Sequence, residues 1–456
     1  MCGIFGVYPH KDAANLACLG LYALQHRGEE SSGIITRNGK RLYLHKALGL
    51  VSDVFDEKII RSLRGELAVG HVRYSTTGSS NVKNTQPFYV KSKIGDIAIA
   101  HNGNLTNTLG LHRELENNGA LFQTSMDSEI IAHLLAHSQK KDAKEAIIWS
   151  LSKLEGAYSL VLMLNDILIG ARDNRGFRPL CLGKVDGAYI LASETCALDL
   201  IGAQYIRDIQ PGEIIFIYKD KIESVMPFKK DPCAFCIFEY IYFVRPDSDI
   251  FEHNVYLTRK RLGVQLATEF PAEADLVMPI PDSGTYAALG FSEASKVPFE
   301  FGMIRNHYIG RTFIQPTQAL RDFRVRIKLN SLKEVLNGKR VIIVEDSIVR
   351  GTTSRMRVKT LRLAGAKQVH MRVSCPPLKF PCFYGIDFPT KKELVASKHD
   401  SAWIRDFIGA DSLEYLSLEG MLASMPLPKE NFCTACFTGE YPVNHACRIS
   451  KHIMEK

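Results

Sequence analysis

The sequence predicts two differently built halves, a layered α+β domain over residues 2–230 and an α/β domain over residues 231–456. Three observations predict them. In the first half, short strand-like runs cluster while helical stretches stand apart. A polar stretch broken by proline, Pro227-Phe228-Lys229-Lys230-Asp231-Pro232, then interrupts the chain. Beyond it, strands and helices alternate.

With 46% apolar and 23% charged residues, the 456-residue chain has the composition of an ordinary globular protein. No apolar run approaches the ~20 residues of a membrane span. Met1-Cys2-Gly3 passes quickly into mixed sequence without a secretory signal, and eleven cysteines then argue for a reducing, cytoplasmic setting rather than a disulfide framework. The net charge of +8 fits anionic small substrates, and no basic arm favours nucleic acid.

In chain order, Leu16, Leu19 and Ala23 lie at helical spacing before Gln25-His26-Arg27-Gly28, which predicts a helix ending at that glycine. Strand-like runs follow at 41–45, 67–74, 96–101, 158–164, 188–193 and 213–218. Apolar pairs at i, i+4 predict a helix over 126–137, with Asp127 in its first turn, and another over 143–154. Polar clusters stand at two strand ends: one runs from His71 through Arg73 to Gly78, the other is His101-Asn102-Gly103-Asn104. Read plainly, these are an edge charge and an Asn-Gly hairpin turn.

Cys2 gives those clusters a second meaning. With Met1 removed, which needs only an aminopeptidase, Cys2 carries a thiol and a free α-amine whose ordinary pKa, about 8, suits proton exchange. Arg73 then suits an α-carboxylate and Asp127 an α-ammonium, while Asn102 and the Gly103 amide suit an oxyanion. Met-Cys-Gly-Ile-Phe-Gly, Gln-His-Arg-Gly, the Arg73 cluster, Asn102-Gly103-Asn104 and Ala171-Arg172-Asp173 resemble the glutaminase domain of class II, N-terminal-nucleophile amidotransferases over about residues 2–225. The resemblance implies a four-layer αββα sandwich in which Cys2 attacks the glutamine side-chain amide and releases ammonia.

In the second half, residues 275–279 read as a strand, Pro281-Asp282-Ser283-Gly284 as a turn and 286–295 as a helix. A sharper signal is Val341-Ile342-Ile343-Val344 followed by Glu345-Asp346-Ser347-Ile348-Val349-Arg350-Gly351-Thr352-Thr353 and a helix to Gly365. A buried strand delivers two carboxylates to its end, and a Gly-Thr loop opens a helix whose amides can hold phosphate. The segment resembles the ribose-phosphate loop of type I phosphoribosyltransferases. That resemblance assigns Glu345 and Asp346 to the ribose diol and Mg²⁺, residues 347–353 to the 5-phosphate, and Ser283 to the metal and pyrophosphate. Between these units a basic stretch, 306–316 with Arg321, Arg324, Arg326 and Lys328, reads as a cationic flap over the site.

Cys433 and Cys436 form a Cys-x-x-Cys pair, and Cys233, Cys236 and Cys382 stand far away in sequence. Such a set suits a closed zinc site or a [4Fe–4S] cluster. The pattern is similar to the cluster-bearing branch of the amidophosphoribosyltransferase family, which implies Cys236, Cys382, Cys433 and Cys436 as ligands, with zinc as the alternative metal. The family resemblance further implies phosphoribosyl pyrophosphate as ammonia acceptor, 5-phosphoribosylamine as product, homotetramers and feedback inhibition by purine nucleotides. Two other readings remain: a different enzyme built on the same glutaminase, and a non-catalytic nucleotide-sensing regulator. The first predicts no loop at 345–353, the second a damaged nucleophile or loop, and the sequence keeps both intact.

Overall fold

The computed structural model describes residues 1–75, 78–306, 329–387, 390–443 and 455. Two antiparallel sheets face each other in the first half. The seven-stranded sheet runs Gln204–Asp208, Cys181–Val185, Ala188–Ala192, Gly3–Tyr8, Leu67–Arg73, Ser31–Asn38 and Arg41–Leu48. The six-stranded sheet runs Ile222–Val225, Ile214–Ile217, Ile167–Arg172, Gly156–Leu164, Gly95–Leu105 and Phe88–Ser92.

Alternation along the strands builds the layers. Ile4 and Tyr8 point between the sheets, against Val161, Met163, Leu168 and Ile215, whereas Phe5 and Val7 point outward to the helix Ala13–Ala23. The helices Ser128–His137 and Ala143–Leu151 cover the outer face of the other sheet through Ile131, Leu135 and Ile147. The result is the αββα sandwich. Each fully buried side chain such as Ile4 or Val161 contributes about 1.5–3 kcal/mol.

Two local expectations are corrected. The first helix stops at Ala23, and a 3₁₀ turn, Gln25–Arg27, leads to Gly28 in an extended conformation (φ −163°). This glycine is not a helix cap. A Cβ there would lie 2.5 Å from the Arg73 carbonyl carbon, so its role is close approach to that strand. Nor is His101-Asn102-Gly103-Asn104 a hairpin turn at a strand end: pairing with Ala157–Leu160 carries the strand on to Leu105. The cross-strand ladder outweighs the Asn-Gly turn signal. Gly103 tolerates the position (φ +155°) because a Cβ would sit 2.0 Å from the Ala157 oxygen.

The second half holds a parallel four-stranded sheet in the order Leu276–Pro279, Arg340–Glu345, Gln368–Val373 and Ser412–Tyr415. Val341, Ile342, Ile343 and Val344 are wholly buried, as a strand covered on both faces requires. Helices Val255–Glu269, Thr285–Ser295 and Thr352–Leu363 pack around it.

Candidate active sites

The first site forms where the amino-terminal strand meets its neighbour. Gly3 pairs with Val72, so the same antiparallel register carries Cys2 to the position opposite Arg73. Cys2 N donates to Asn102 Oδ1 at 3.1 Å. The thiol lies 3.5 Å from the Tyr74 oxygen, and Arg27 Nε donates to the Cys2 carbonyl at 2.9 Å. Burial pushes the thiol pKa up, against the pull of the nearby terminal amine, the Tyr74 hydrogen bond and the Arg73 charge. Met1 is itself buried, and burial pushes its α-amine down to about 5.

Asn102 is held by one end only. Its Oδ1 takes the Cys2 amide, while its Nδ2 is buried and has no acceptor among the described residues. A stranded donor costs about 1–3 kcal/mol, and beside a nucleophile it suits charge that develops only during reaction.

Arg73 is buried, donates to the Ser79 and Gly78 oxygens at 3.1 and 3.3 Å and lies 3.9 Å from Glu30. Asp127 immediately precedes the helix Ser128–His137 without capping it. Its Oδ2 accepts from Leu105 N at 3.0 Å and its Oδ1 lies 3.5 Å from His101 Nδ1. Burial alone would raise this carboxyl, but His101 and the hydrogen bonds hold it below the usual range. Arg73 feels the charges of both Cys2 and Asp127. The structure thus brings Cys2, Arg73, Asn102, Gly103 and Asp127 into one neighbourhood. Thr76 and Thr77 lie outside the described residues.

The second site is a cleft of about 800 Å³ at the carboxyl ends of the parallel strands, lined by Ser283, by every residue from Glu345 to Ser354, and by Arg357. His26 and Tyr74 of the first half reach its wall. Gly351 (φ +74°) turns the chain into the helix Thr352–Leu363, a conformation glycine adopts without cost. Asp346 accepts from Ser283 Oγ and, at 2.5 Å, from Ser347 Oγ. Glu345 pairs with Arg357, leaving Oε2 buried without a donor among the described residues; burial nevertheless raises its pKa. Arg350 pairs with Glu393, and Arg305 with Asp282. The expected flap, 306–316 with Arg321, Arg324, Arg326 and Lys328, lies outside the described residues beyond Asn306.

The cysteines converge as well. Cys236, Cys382, Cys433 and Cys436 line one small enclosed cavity; Cys233 does not. Phe235–Cys236 pairs in parallel with Phe432–Cys433, placing Cys236 opposite Cys433. Burial raises the Cys436 thiol well above its ordinary value, with Cys382, Cys433 and Cys236 adding to the effect.

Sequence reasoning missed the polar joint between the sites. Arg27 bridges Glu194 at 2.5 Å and Glu239 at 3.0 Å, and Arg178 meets the same Glu239 at 3.1 Å, all four side chains being fully buried. Gln25-His26-Arg27-Gly28 marks one partner in the sequence, but nothing there points to Glu194 or Glu239. Arg357, one helical turn beyond Thr353, was likewise missed.

A thiol-led amide site on an αββα sandwich, joined to a loop for a ribose phosphate on a parallel sheet, defines a two-site glutamine amidotransferase. Comparison supports that class: a glutamine amidotransferase domain model matches residues 71–200. Amidophosphoribosyltransferase of Methanocaldococcus jannaschii is 50% identical over 461 residues, covering 97% of this chain and 98% of the relative. That of Bacillus subtilis is 47% identical over 460 residues, covering 100% and 97%. The solved glutamine phosphoribosylpyrophosphate amidotransferase from B. subtilis, complexed with ADP and GMP, superposes with a TM-score of 0.94 at 46% identity, covering 99% of this chain and 100% of that one. The chain belongs to the amidophosphoribosyltransferase family.

Proposed function

We propose that the chain transfers ammonia from glutamine to phosphoribosyl pyrophosphate, giving 5-phosphoribosylamine, glutamate and pyrophosphate, the first committed step of purine biosynthesis. The observation that carries this reading is the buried Asn102 Nδ2 beside Cys2, without a partner among the described residues, with the 345–354 loop lining a cleft that His26 and Tyr74 of the first half also reach.

Arg73 receives the glutamine α-carboxylate and Asp127 its α-ammonium. Once Met1 is gone, the amine on Cys2 takes the thiol proton and the sulfur attacks the side-chain amide. Asn102 Nδ2 and the Gly103 amide hold the developing oxyanion. The tetrahedral adduct collapses to a thioester as the Cys2 amine passes its proton to the leaving nitrogen, which departs as ammonia; water then cleaves the thioester, freeing glutamate and the thiol. In the second site, Ser347, Arg350, Gly351, Thr352 and Thr353 hold the 5-phosphate at the helix start. Glu345 and Asp346 orient the ribose hydroxyls, and ammonia attacks C1 as pyrophosphate leaves.

Asp346, Ser283 and Glu345, whose Oε2 is buried without a partner among the described residues, would hold Mg²⁺, which would neutralise charge on the departing pyrophosphate. The four thiols suit a [4Fe–4S] cluster better than zinc. They line one cavity, yet among the described residues no group of three or more His, Cys, Asp or Glu converges on a single ion. Such a cluster, held by Cys236, Cys382, Cys433 and Cys436, would cross-link three distant segments. By family resemblance we also propose homotetramers in the cytoplasm inhibited by purine nucleotides; the B. subtilis neighbour holds ADP and GMP.

The test is Cys2→Ala. Glutamine-dependent product formation disappears while ammonia-dependent formation persists; survival of both activities removes Cys2 from the mechanism.

A further inference from the structure

The segment after Cys382 touches both the thiol cavity and the strand that carries the oxyanion residues. Cys382 Sγ lines the cavity and accepts from Tyr384 N at 3.4 Å. The next three residues run alongside Asn102-Gly103-Asn104. Phe383 O accepts from Asn104 Nδ2 at 3.0 Å. Tyr384 O accepts from Arg178 Nε and Nη2 at 3.0 and 2.6 Å, and its ring stacks on Phe177 at 4.3 Å. Gly385 (φ +110°) lies so close that a Cβ on it would come 3.0 Å from the Gly103 carbonyl carbon and 3.2 Å from its Cα.

Gly103 is therefore confined from two sides. The Ala157 oxygen would meet a Cβ on it at 2.0 Å, and the Gly385 backbone presses on its other face. An oxyanion donor works only where it is preorganised, and an error of about 1 Å costs on the order of 10²-fold in rate. Strand pairing holds the Gly103 backbone along the sheet. From the second half, the 383–385 segment bears on it.

We infer that residues 382–385 form a positioning brace for the oxyanion strand, so that whatever holds Cys382 in its thiol cage governs glutamine cleavage while leaving the phosphoribosyl step untouched. The inference rests on Asn102 and Gly103 being the oxyanion residues. It makes the cavity more than a distant structural staple: its position in the fold is set to serve the first site.

The test uses the full-length enzyme with Gly385→Ala, which adds one methyl group against Gly103. The expected result is a tenfold to hundredfold fall in kcat for glutamine, an essentially unchanged glutamine KM, an unchanged ammonia-dependent rate and an unchanged metal content. Hydrogen exchange should quicken at the amides of 102–105 and not elsewhere in that sheet. Should that variant not fold, Tyr384→Leu, which removes the stack on Phe177, is read in the same way. Asn102→Ala serves as control and must lose glutamine-dependent turnover. If it does not, the oxyanion assignment fails and the brace falls with it. If Asn102→Ala is inactive with glutamine but neither brace variant changes kcat, the brace alone is overturned. Equal loss of both activities, or a rise in KM without loss of kcat, also overturns it.

Discussion

Arg27 and Glu239 form a fully buried ion pair, 3.0 Å between Nη2 and Oε1, while Nε of the same arginine holds the Cys2 carbonyl. Glu239 belongs to the turn Glu239–Phe243, whose Tyr242 and Phe243 line the second cleft. One guanidinium thus holds the nucleophile's backbone and a carboxylate of the element that supplies part of the neighbouring site's wall.

Arg27→Lys tests that joint. A lysine keeps the charge but cannot fork to Glu194, Glu239 and the Cys2 carbonyl together. Glutamine-dependent kcat should fall by about tenfold, an order-of-magnitude value for one lost orienting contact, with ammonia-dependent synthesis retained. Steady-state assays with each nitrogen donor read it. Glu239→Ala should be worse for the fold: Arg27 would keep Glu194, but the buried Arg178 would lose the carboxylate it pairs with, destabilising the protein by about 3 kcal/mol in denaturant titrations.

Arg357→Ala removes the cation that pairs with the buried Glu345 beside Asp346. Burial already raises the Glu345 pKa, and Arg357 is what opposes it. Removing the arginine should raise that carboxyl further, costing about 3 kcal/mol of stability. The KM for phosphoribosyl pyrophosphate should also rise, shown by pyrophosphate-release assays with ammonia as donor.

His71 sets a pH limit on the first half. It is completely buried, and burial lowers its pKa from 6.5 to about 3. Between those values the unfolded chain binds a proton that the folded chain refuses, so stability falls as pH drops from 6.5 towards 3. His71→Asn should flatten that part of the profile. Thermal midpoints at several pH values, compared with the parent protein, check it.

Metal content tests the thiol cavity. Anaerobically purified protein should be brown, with about four irons per chain. Cys436→Ser should lose both colour and iron. Colourless protein carrying zinc would reject the cluster.

Much of the chemistry was legible in local sequence because it depends on local chain direction. The run Val341–Val344 must be a buried strand, so Glu345 and Asp346 must emerge at its end. All of 345–353 indeed lines one cleft with Ser283. Cys2, Arg73 and Asp127 were legible as residue types suited to an amino acid, though their meeting depends on register. Gly28 was misread as a helix stop and the strand was ended too early at His101, because these local signals gave way to the close approach to Arg73 and to pairing with Ala157–Leu160, partners distant in the chain.

What the sequence determined by itself is the inventory: a thiol at position two, carboxylates before a Gly-Thr helix start, and a Cys-x-x-Cys pair. Such signals lie within a few residues of one another, where bond geometry leaves little choice. Tertiary structure alone decided the joints. Arg27 with Glu239 is a pair 212 residues apart, and Asn104 with Phe383 one 279 residues apart. Buried charges and unpaired amides must find partners wherever the folded core brings them, and no local pattern records where that is.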